Sequence, residues 1–213
     1  MISILVGIGT LGWVIGYVGA VWVGFRNKTY GVPLAAVAFN FSYEIVLAWF
    51  FLSEKISFFR MMFAAWALVD FGVMLTVLLY AHRDKTLGLK RWQVYSFVLP
   101  LFVVFGSLLW WYASVYGPES AAFYPAYAEN VLMSLLFVGL AIRRRGSYGQ
   151  SFILAWGKFI GTAGMTVLYG IVLDRPYALV CGSLVFVLDV VYLYFMHRRP
   201  RERADDPERE RHR

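Results

Sequence analysis

Apolar residues occur along this chain in seven long runs, separated by short segments that hold most of the polar and charged residues. Each run is close to the roughly 20 residues that a helix needs to cross about 30 Å of hydrocarbon. The pattern predicts seven membrane-spanning helices, at residues 3–25, 31–52, 59–81, 95–115, 120–142, 151–173 and 177–197. Because the connections are short, neighbouring helices are expected to pack antiparallel in one bundle.

The composition supports this reading. Of 213 residues, 60% are hydrophobic and only 15% are charged, and the mean hydropathy is +0.62. A soluble domain of this length carries more polar surface. We therefore predict an all-α membrane protein with a seven-helix transmembrane domain at residues 1–197 and a charged, disordered tail at residues 198–213.

The basic residues predict an orientation. Seven spans put sixteen lysines and arginines on the side that includes the tail, and three on the other side. The excess is typical of a cytoplasmic face, so the N-terminus is expected outside and the C-terminus in the cytoplasm. Anionic lipid beside this basic rim explains the net charge of +7 more simply than nucleic acid does. No nucleic-acid partner is expected.

Five acidic or basic residues lie well inside the predicted spans, away from their ends: Glu44, Asp70, Glu129, Lys158 and Asp189. Holding each one charged in lipid costs several kcal/mol, so they should face the interior of the bundle, pair, or stay neutral. Their similar depths suggest one shared polar cavity. The alternative is a set of buried polar contacts that only fix helix packing. In that case Asp70 and Lys158 could neutralise each other.

Two of these acids are the strongest candidates for chemistry. Asn40 precedes Glu44 by four residues and lies on the same helix face, which indicates a partnered rather than an isolated carboxyl group. Asp189 has Phe186 and Tyr192 three residues to either side. Apolar surroundings favour the neutral form of a carboxylic acid, and a neutral buried acid can serve as a general acid.

Aromatic residues make up 19% of the chain, and some of them fall well inside the predicted spans. Candidates for a cavity wall are Tyr43, Trp66, Trp110 and Tyr192. An aromatic face stabilises a nearby cation by about 0.5–2 kcal/mol. Acids among aromatic rings therefore suit carbocation chemistry on a lipophilic substrate. The alternative is that these rings reflect only the general abundance of aromatic residues in membrane proteins.

Several enzyme classes find no support in the motifs. The chain has no HExxH, no GxSxG and no phosphate-binding glycine loop. The segment "DDPE" at 205–208 superficially matches a magnesium–diphosphate motif, but it lies in the charged tail. A single cysteine, Cys181, excludes an intramolecular disulfide and a thiolate metal centre. We expect neither a metal nor a cofactor.

Two segments resemble a known family. "GVPLAAVAFNFSYEIVLAW" at 31–49 and "VFVLDVVYLYF" at 185–195 are similar to helix two and the last helix of the Pyr4/PaxB-like integral-membrane terpene cyclases. The resemblance implies protonation of a linear prenyl chain, by its terminal epoxide or an alkene, followed by cyclisation through carbocations without a metal. The acids implicated in that family correspond to Glu44 and Asp189 here.

The sequence thus predicts a terpene cyclase acting on a lipophilic prenylated substrate of meroterpenoid or similar type. Asn40, Tyr43, Trp66, Asp70, Trp110, Glu129, Lys158 and Tyr192 are the candidate cavity residues. The arginine-rich tail favours a bacterial cytoplasmic membrane over the endoplasmic reticulum. The alternative is a proton-coupled transporter, which a weak inverted echo between "YGVPLAA" at 30–36 and "YGPESAA" at 116–122 favours. Oligomeric state, substrate and ring pattern stay open.

Overall fold

The computed structural model describes residues 2–51 and 58–198, and all the long elements in this part of the chain are helices. The predicted tail beyond residue 198 and the "DDPE" segment lie outside the described residues. The seven helices are α1 (Ile2–Arg26), α2 (Leu34–Phe50), α3 (Phe58–Tyr80), α4 (Arg91–Tyr116), α5 (Pro118–Arg144), α6 (Phe152–Thr166) and α7 (Pro176–His197). They match the predicted spans closely.

Six of these helices are long and apolar enough to cross a membrane, and α2, with 17 residues, is shorter. Large apolar side chains point outward around the bundle; Leu68 is 73% exposed and Val180 is 62% exposed. Such a surface suits hydrocarbon rather than water. The chain is therefore a multi-pass membrane protein. The predicted orientation of its termini stays a prediction.

Six helices form a closed ring. In order around it α1 packs against α6, α6 against α7, α7 against α5, α5 against α2, α2 against α3, and α3 against α1, while α4 packs outside the ring against α2 and α5. We call the side that holds the beginning of α1 the N-terminal side; the α2–α3, α4–α5 and α6–α7 connections also lie there. The opposite side is the C-terminal side. A ring of this kind leaves room for a central cavity.

Glycines allow α1 and α6 to approach closely. A Cβ on Gly12 would lie 2.7 Å from the carbonyl oxygen of Gly157, and one on Gly161 would lie 3.0 Å from the carbonyl oxygen of Gly9. In lipid, where helices gain little from burying apolar surface against each other, such small-residue contacts are a main source of helix association. The α1–α6 contact fixes one wall of the ring.

A π-helical turn, Val167–Val172, extends α6 towards the N-terminal side. It includes the hydrogen bond from Leu173 N to Leu168 O at 2.9 Å, and the bond from Arg175 N to Tyr169 O at 2.9 Å follows it. Wide turns of this type rotate the following residues and are frequent at functional sites. Here the turn carries Tyr169, which lies on the cavity wall.

A buried ion pair closes the bundle on the C-terminal side. Arg144, whose side chain is fully buried, contacts Asp84 Oδ2 through Nη2 at 2.9 Å. Its Nη1 donates to the Tyr30 carbonyl oxygen at 2.8 Å, and the Tyr30 hydroxyl donates to Asp84 Oδ2 at 3.0 Å. These contacts join the α1–α2 and α3–α4 connections to the end of α5.

The first prediction concerns this ion pair. Asp84→Asn leaves the buried Arg144 guanidinium without its counter-charge, which costs about 3 kcal/mol or more of unfolding free energy. The measurement is unfolding of the detergent-solubilised protein at pH 7. Asp174→Asn, a change of an exposed aspartate on the other side of the bundle, is the matched control and should be neutral. Equal stability of the two variants would contradict the structure of this site.

The same pair predicts a pH dependence. Burial alone would raise the pKa of Asp84, but hydrogen bonds from Thr86 and the charge and hydrogen bond of Arg144 outweigh it and lower the pKa below its usual value. The stabilisation is therefore fully present above the unfolded-state pKa of about 3.9, and it is lost as the pH falls through the lower folded-state pKa. Asp84→Asn should make unfolding less sensitive to pH in this acidic range.

Candidate active site

A cavity of about 620 Å³ lies inside the ring. Residues of α1, α2, α3, α5, α6 and the π-helical turn line it, and none of its lining residues comes from α4 or α7. Glu119, Ser120 and Arg175 mark its mouth on the N-terminal side. The size suits a drug-sized organic molecule.

Three acids lie together in this cavity. Glu44, Asp70 and Glu129 all line it, and they are 5%, 3% and 4% exposed. The carboxyl groups of Asp70 and Glu129 are close enough to Glu44 to interact with it electrostatically. The predicted shared cavity is thus present for these three residues, and α2, α3 and α5 each supply one.

Asn40 has a different partner from the one expected. Its amide Nδ2 donates to Asp70 Oδ2 in a short hydrogen bond between α2 and α3. The sequence placed Asn40 beside Glu44 because the two residues lie on one helix face, but the neighbouring helix offers Asp70 a direct contact. Asn40 therefore orients Asp70, and the expectation that it orients Glu44 is not what the structure shows.

Four polar atoms around the cavity are buried and have no hydrogen-bond partner among the described residues. They are Glu44 Oε2, Glu129 Oε1, Asn130 Oδ1 and Thr162 Oγ1. An unsatisfied buried polar group costs about 1–3 kcal/mol, so several in one place need an explanation. All four residues line the cavity, and a bound polar group would satisfy them.

The acids have no cationic partner in the described part of the chain; the ion pairs found there involve Asp84 and Asp189. A buried carboxylate without a cation is expensive, and such a group usually takes up a proton instead. A neutral carboxylic acid carries one O–H donor. The cavity can therefore present acidic protons to an apolar ligand.

Aromatic rings form much of the wall. The cavity is lined by Trp13, Tyr17, Tyr43, Trp66, Tyr127 and Tyr169, among others. The Tyr43 hydroxyl donates to the carbonyl oxygen of Ala122 at 2.7 Å, and the Tyr127 hydroxyl donates to that of Met165 at 3.1 Å. These two hydroxyl groups are bound to backbone, which leaves mainly ring surface to a ligand. Ring faces of this kind stabilise positive charge.

Asp189 lies elsewhere, in a buried ion pair with Lys158. Lys158 Nζ contacts Asp189 Oδ1 at 2.6 Å and Oδ2 at 2.8 Å, and it also donates to Ser134 Oγ at 2.5 Å. The alternative in which Lys158 and Asp70 neutralise each other is therefore wrong, because Lys158 pairs with Asp189 on α7. Neither Lys158 nor Asp189 is among the residues that line the cavity.

Two aromatic candidates also lie outside the cavity. The Tyr192 hydroxyl donates to Gln150 Oε1 at 3.0 Å, in the core on the C-terminal side. Trp110 is 44% exposed and packs against Phe50, with ring centroids 4.9 Å apart. Tyr43 and Trp66, by contrast, lie on the cavity wall, as the sequence suggested.

The sequence reasoning missed the contribution of α1. Gly9, Trp13 and Tyr17 line the cavity although α1 has no acidic or basic residue before Arg26. Their spacing of four residues puts them on one helix face, and this was the available signal. On α6, Thr162 and Met165 line the cavity in the same way.

Fold and site together define a class: a multi-pass membrane protein whose buried cavity holds unpaired acids within aromatic walls. Comparison with known proteins agrees. The family model of Pyr4-like transmembrane terpene cyclases matches residues 1–201. The chain belongs to this family, and it is a terpene cyclase.

Several curated terpene cyclases from fungi are similar to it. Terpene cyclase janB of Penicillium janthinellum is 28% identical over 86% of this chain and 76% of its own length. Terpene cyclase paxB of Penicillium paxilli is 27% identical over 89% and 79%, and terpene cyclase pyr4 of Aspergillus fumigatus is 23% identical over 90% and 84%. These relatives lend no support to the expected bacterial membrane. No solved structure matches the chain.

Proposed function

We propose that this terpene cyclase closes rings in a linear prenyl chain that is attached to a larger organic core, by protonation and without a metal. The observation that carries the proposal is the buried Glu44 carboxyl group, whose Oε2 has no partner in the described structure and which lines an aromatic cavity. The apolar exterior suits a substrate that is dissolved in the bilayer.

Glu44 is the proposed proton donor. Its O–H gives a proton to the oxygen of a terminal epoxide or to a carbon of the terminal alkene. In the first case a C–O bond breaks and the oxygen becomes a hydroxyl group. The positive charge falls on carbon, and the double bonds of the chain attack it in turn to form C–C bonds. Loss of a proton from carbon ends the sequence, and return of a proton to Glu44 resets the site, so the product is an isomer of the substrate.

The rest of the cavity supports this chemistry. Asp70, which accepts a hydrogen bond from Asn40, and Glu129 add two more carboxyl groups to the cavity that holds Glu44. The rings of Tyr43 and Trp66 stabilise the cations, since each aromatic face contributes about 0.5–2 kcal/mol. Burial of the cavity limits water, which would otherwise capture the cation.

The transporter alternative loses one of its supports. A proton relay across this bundle would use Glu44, Asp70, Glu129 and Lys158, but Lys158 pairs with Asp189 and does not line the cavity. Membership of a cyclase family favours chemical conversion of the substrate. We therefore retain only the cyclase.

The second prediction tests the proposal. Membranes containing the protein, incubated with epoxyprenylated and prenylated aromatic substrates, should yield a product of the same mass with fewer double bonds, and added EDTA should not reduce the yield. In D₂O, protonation of an alkene carbon adds one deuterium that does not wash out. Protonation of an epoxide leaves only an exchangeable deuterium on oxygen. Release of unchanged substrate alone, across a panel that related cyclases convert, would contradict the proposal.

A further inference from the structure

Lys158, Asp189 and Ser134 form a buried polar cluster that joins three helices, and we call it the α5–α6–α7 tie. Lys158 and Ser134 have no exposed surface, and Asp189 is 1% exposed. Lys158 Nζ on α6 donates to both carboxylate oxygens of Asp189 on α7 and to Ser134 Oγ on α5. Ser134 Oγ in turn donates to the Asn130 carbonyl oxygen at 2.9 Å. All three donors of the ammonium group are thus used.

The tie lies one helical turn from the cavity wall. Lys158 precedes Thr162 and Met165 by four and seven residues, which places all three on one face of α6. Thr162 and Met165 line the cavity, whereas Lys158 does not. Holding Lys158 in place therefore fixes the rotation of the α6 face that the substrate meets.

A second contact connects the tie with α1. Lys158 Nζ lies 5.8 Å from the centroid of the Trp13 ring, and Trp13 lines the cavity. A cation at this distance is attracted to the face of an indole ring. The position of Lys158 thus affects one of the aromatic groups available to a carbocation.

The ion pair is poorly suited to giving away a proton. A carboxylate bonded through both oxygens to an ammonium group is held in its charged form, and protonating it for delivery would leave Lys158 buried without its counter-charge. The lone ammonium group would then repel a carbocation in the adjacent cavity. The three cavity acids have neither restriction.

We propose that Lys158 and Asp189 are positioning residues: their ion pair fixes the α6 face and Trp13 at the cavity wall, and Asp189 stays the counter-ion of Lys158 throughout turnover. Asp189 then contributes by keeping the α6 face and Trp13 in place and by neutralising the charge of Lys158. It does not deliver the proton. This inference rests on the proposed cyclisation, and it changes the role that the family resemblance implied for Asp189.

A double-mutant cycle tests this inference. Asp189→Leu and Lys158→Met should each lower kcat about 100-fold, because each leaves one partner of the buried pair alone. The double variant, which replaces the pair with apolar side chains, should recover at least about tenfold over the Asp189→Leu variant. A double variant that is folded but as inactive as Asp189→Leu would overturn the proposal, since Asp189 would then be needed for its own chemistry.

Lys158→Met decides the question if the double variant fails to fold. If Asp189 were the proton donor, removing its cation would leave a protonated acid, and kcat would be kept or raised. Positioning predicts a lower kcat with a changed ratio of cyclic products, because the shape of the wall has changed. A purely structural role would lower the amount of folded protein and leave kcat per folded molecule and the product ratio unchanged.

Failure of the two proposals can be told apart. If the wild-type protein forms no cyclic product, the proposed function fails. If the wild type cyclises but the double variant shows no recovery, only the positioning role fails. Thermal unfolding of all four proteins in detergent supplies the amount of folded protein by which each kcat is normalised.

Discussion

Glu44→Gln is expected to lower cyclisation by about a thousandfold or more, because the amide keeps the size of the side chain but cannot act as an acid. Positioned general acids contribute about 10²–10⁴ in rate, and the proposed reaction does not begin until a proton is transferred. Glu44 is buried and has an unpartnered oxygen, so the neutral amide should be accommodated without loss of fold. The measurement is product formed per folded molecule.

Glu119→Gln is the matched control. Glu119 is an exposed glutamate at the mouth of the same cavity, and its replacement should change kcat by less than about threefold. Thermal unfolding should give similar midpoints for the two variants. If the Glu44→Gln protein turned over at the wild-type rate, the proton donor would be Asp70 or Glu129 instead. The Asp70→Asn and Glu129→Gln variants would then show which of the two it is.

The helices could be predicted because a single physical rule determines them. Apolar runs of membrane-spanning length predicted all seven, and their observed limits differ by only a few residues; α4, for example, begins at Arg91 rather than at residue 95. The rule that intramembrane acids face inward also held for Glu44, Asp70 and Glu129. Both the helical spans and the inward position of these acids follow from the cost of exposing polar groups to lipid.

The partners could not be predicted, because they depend on how the helices are rotated and which ones are neighbours. Lys158 and Asp70 were plausible partners by depth, yet α6 packs against α7 and α1, so Asp189 is the acid within reach. Asn40 and Glu44 share a helix face, but the contact that Asn40 makes is to Asp70 on α3. A single sequence gives no direct measure of which helix faces which.

The backbone irregularity next to the site was equally hidden. Nothing in "VLYGIV" at 167–172 distinguishes a π-helical turn from an ordinary helix end, although the turn carries Tyr169 to the cavity wall. The glycines of α1 and α6 are evident in the sequence, but the sequence does not show which of them contact each other. The close contact between these glycines places α1 beside the cavity, and this explains why a helix without acids forms part of the candidate site.

The α1–α6 contact leads to the prediction with the largest effect on the fold. A Cβ at Gly157 would lie 3.0 Å from the Cα of Gly16, and the α1 backbone cannot move aside as a flexible side chain can. Gly157→Leu should therefore cost more than about 3 kcal/mol of unfolding free energy. It should also abolish cyclisation, because Trp13 and Tyr17 move away with α1. Expression level, unfolding in detergent and product formation measure these effects.

Gly139→Leu separates this packing effect from the effect of removing a glycine. Apart from its chain neighbours and the backbone of its own helix, no atom of the described residues lies within 4 Å of the position that a Cβ would take at Gly139 on α5. Leucine favours helix over glycine by up to about 1 kcal/mol. This variant should fold and cyclise like the wild type. If Gly157→Leu did the same, α1 and α6 would not meet at their glycines, and the α1 wall of the cavity would have to lie elsewhere. Loss of folding in Gly157→Leu alone would show that close backbone contact between these helices holds Trp13 and Tyr17 opposite the acids.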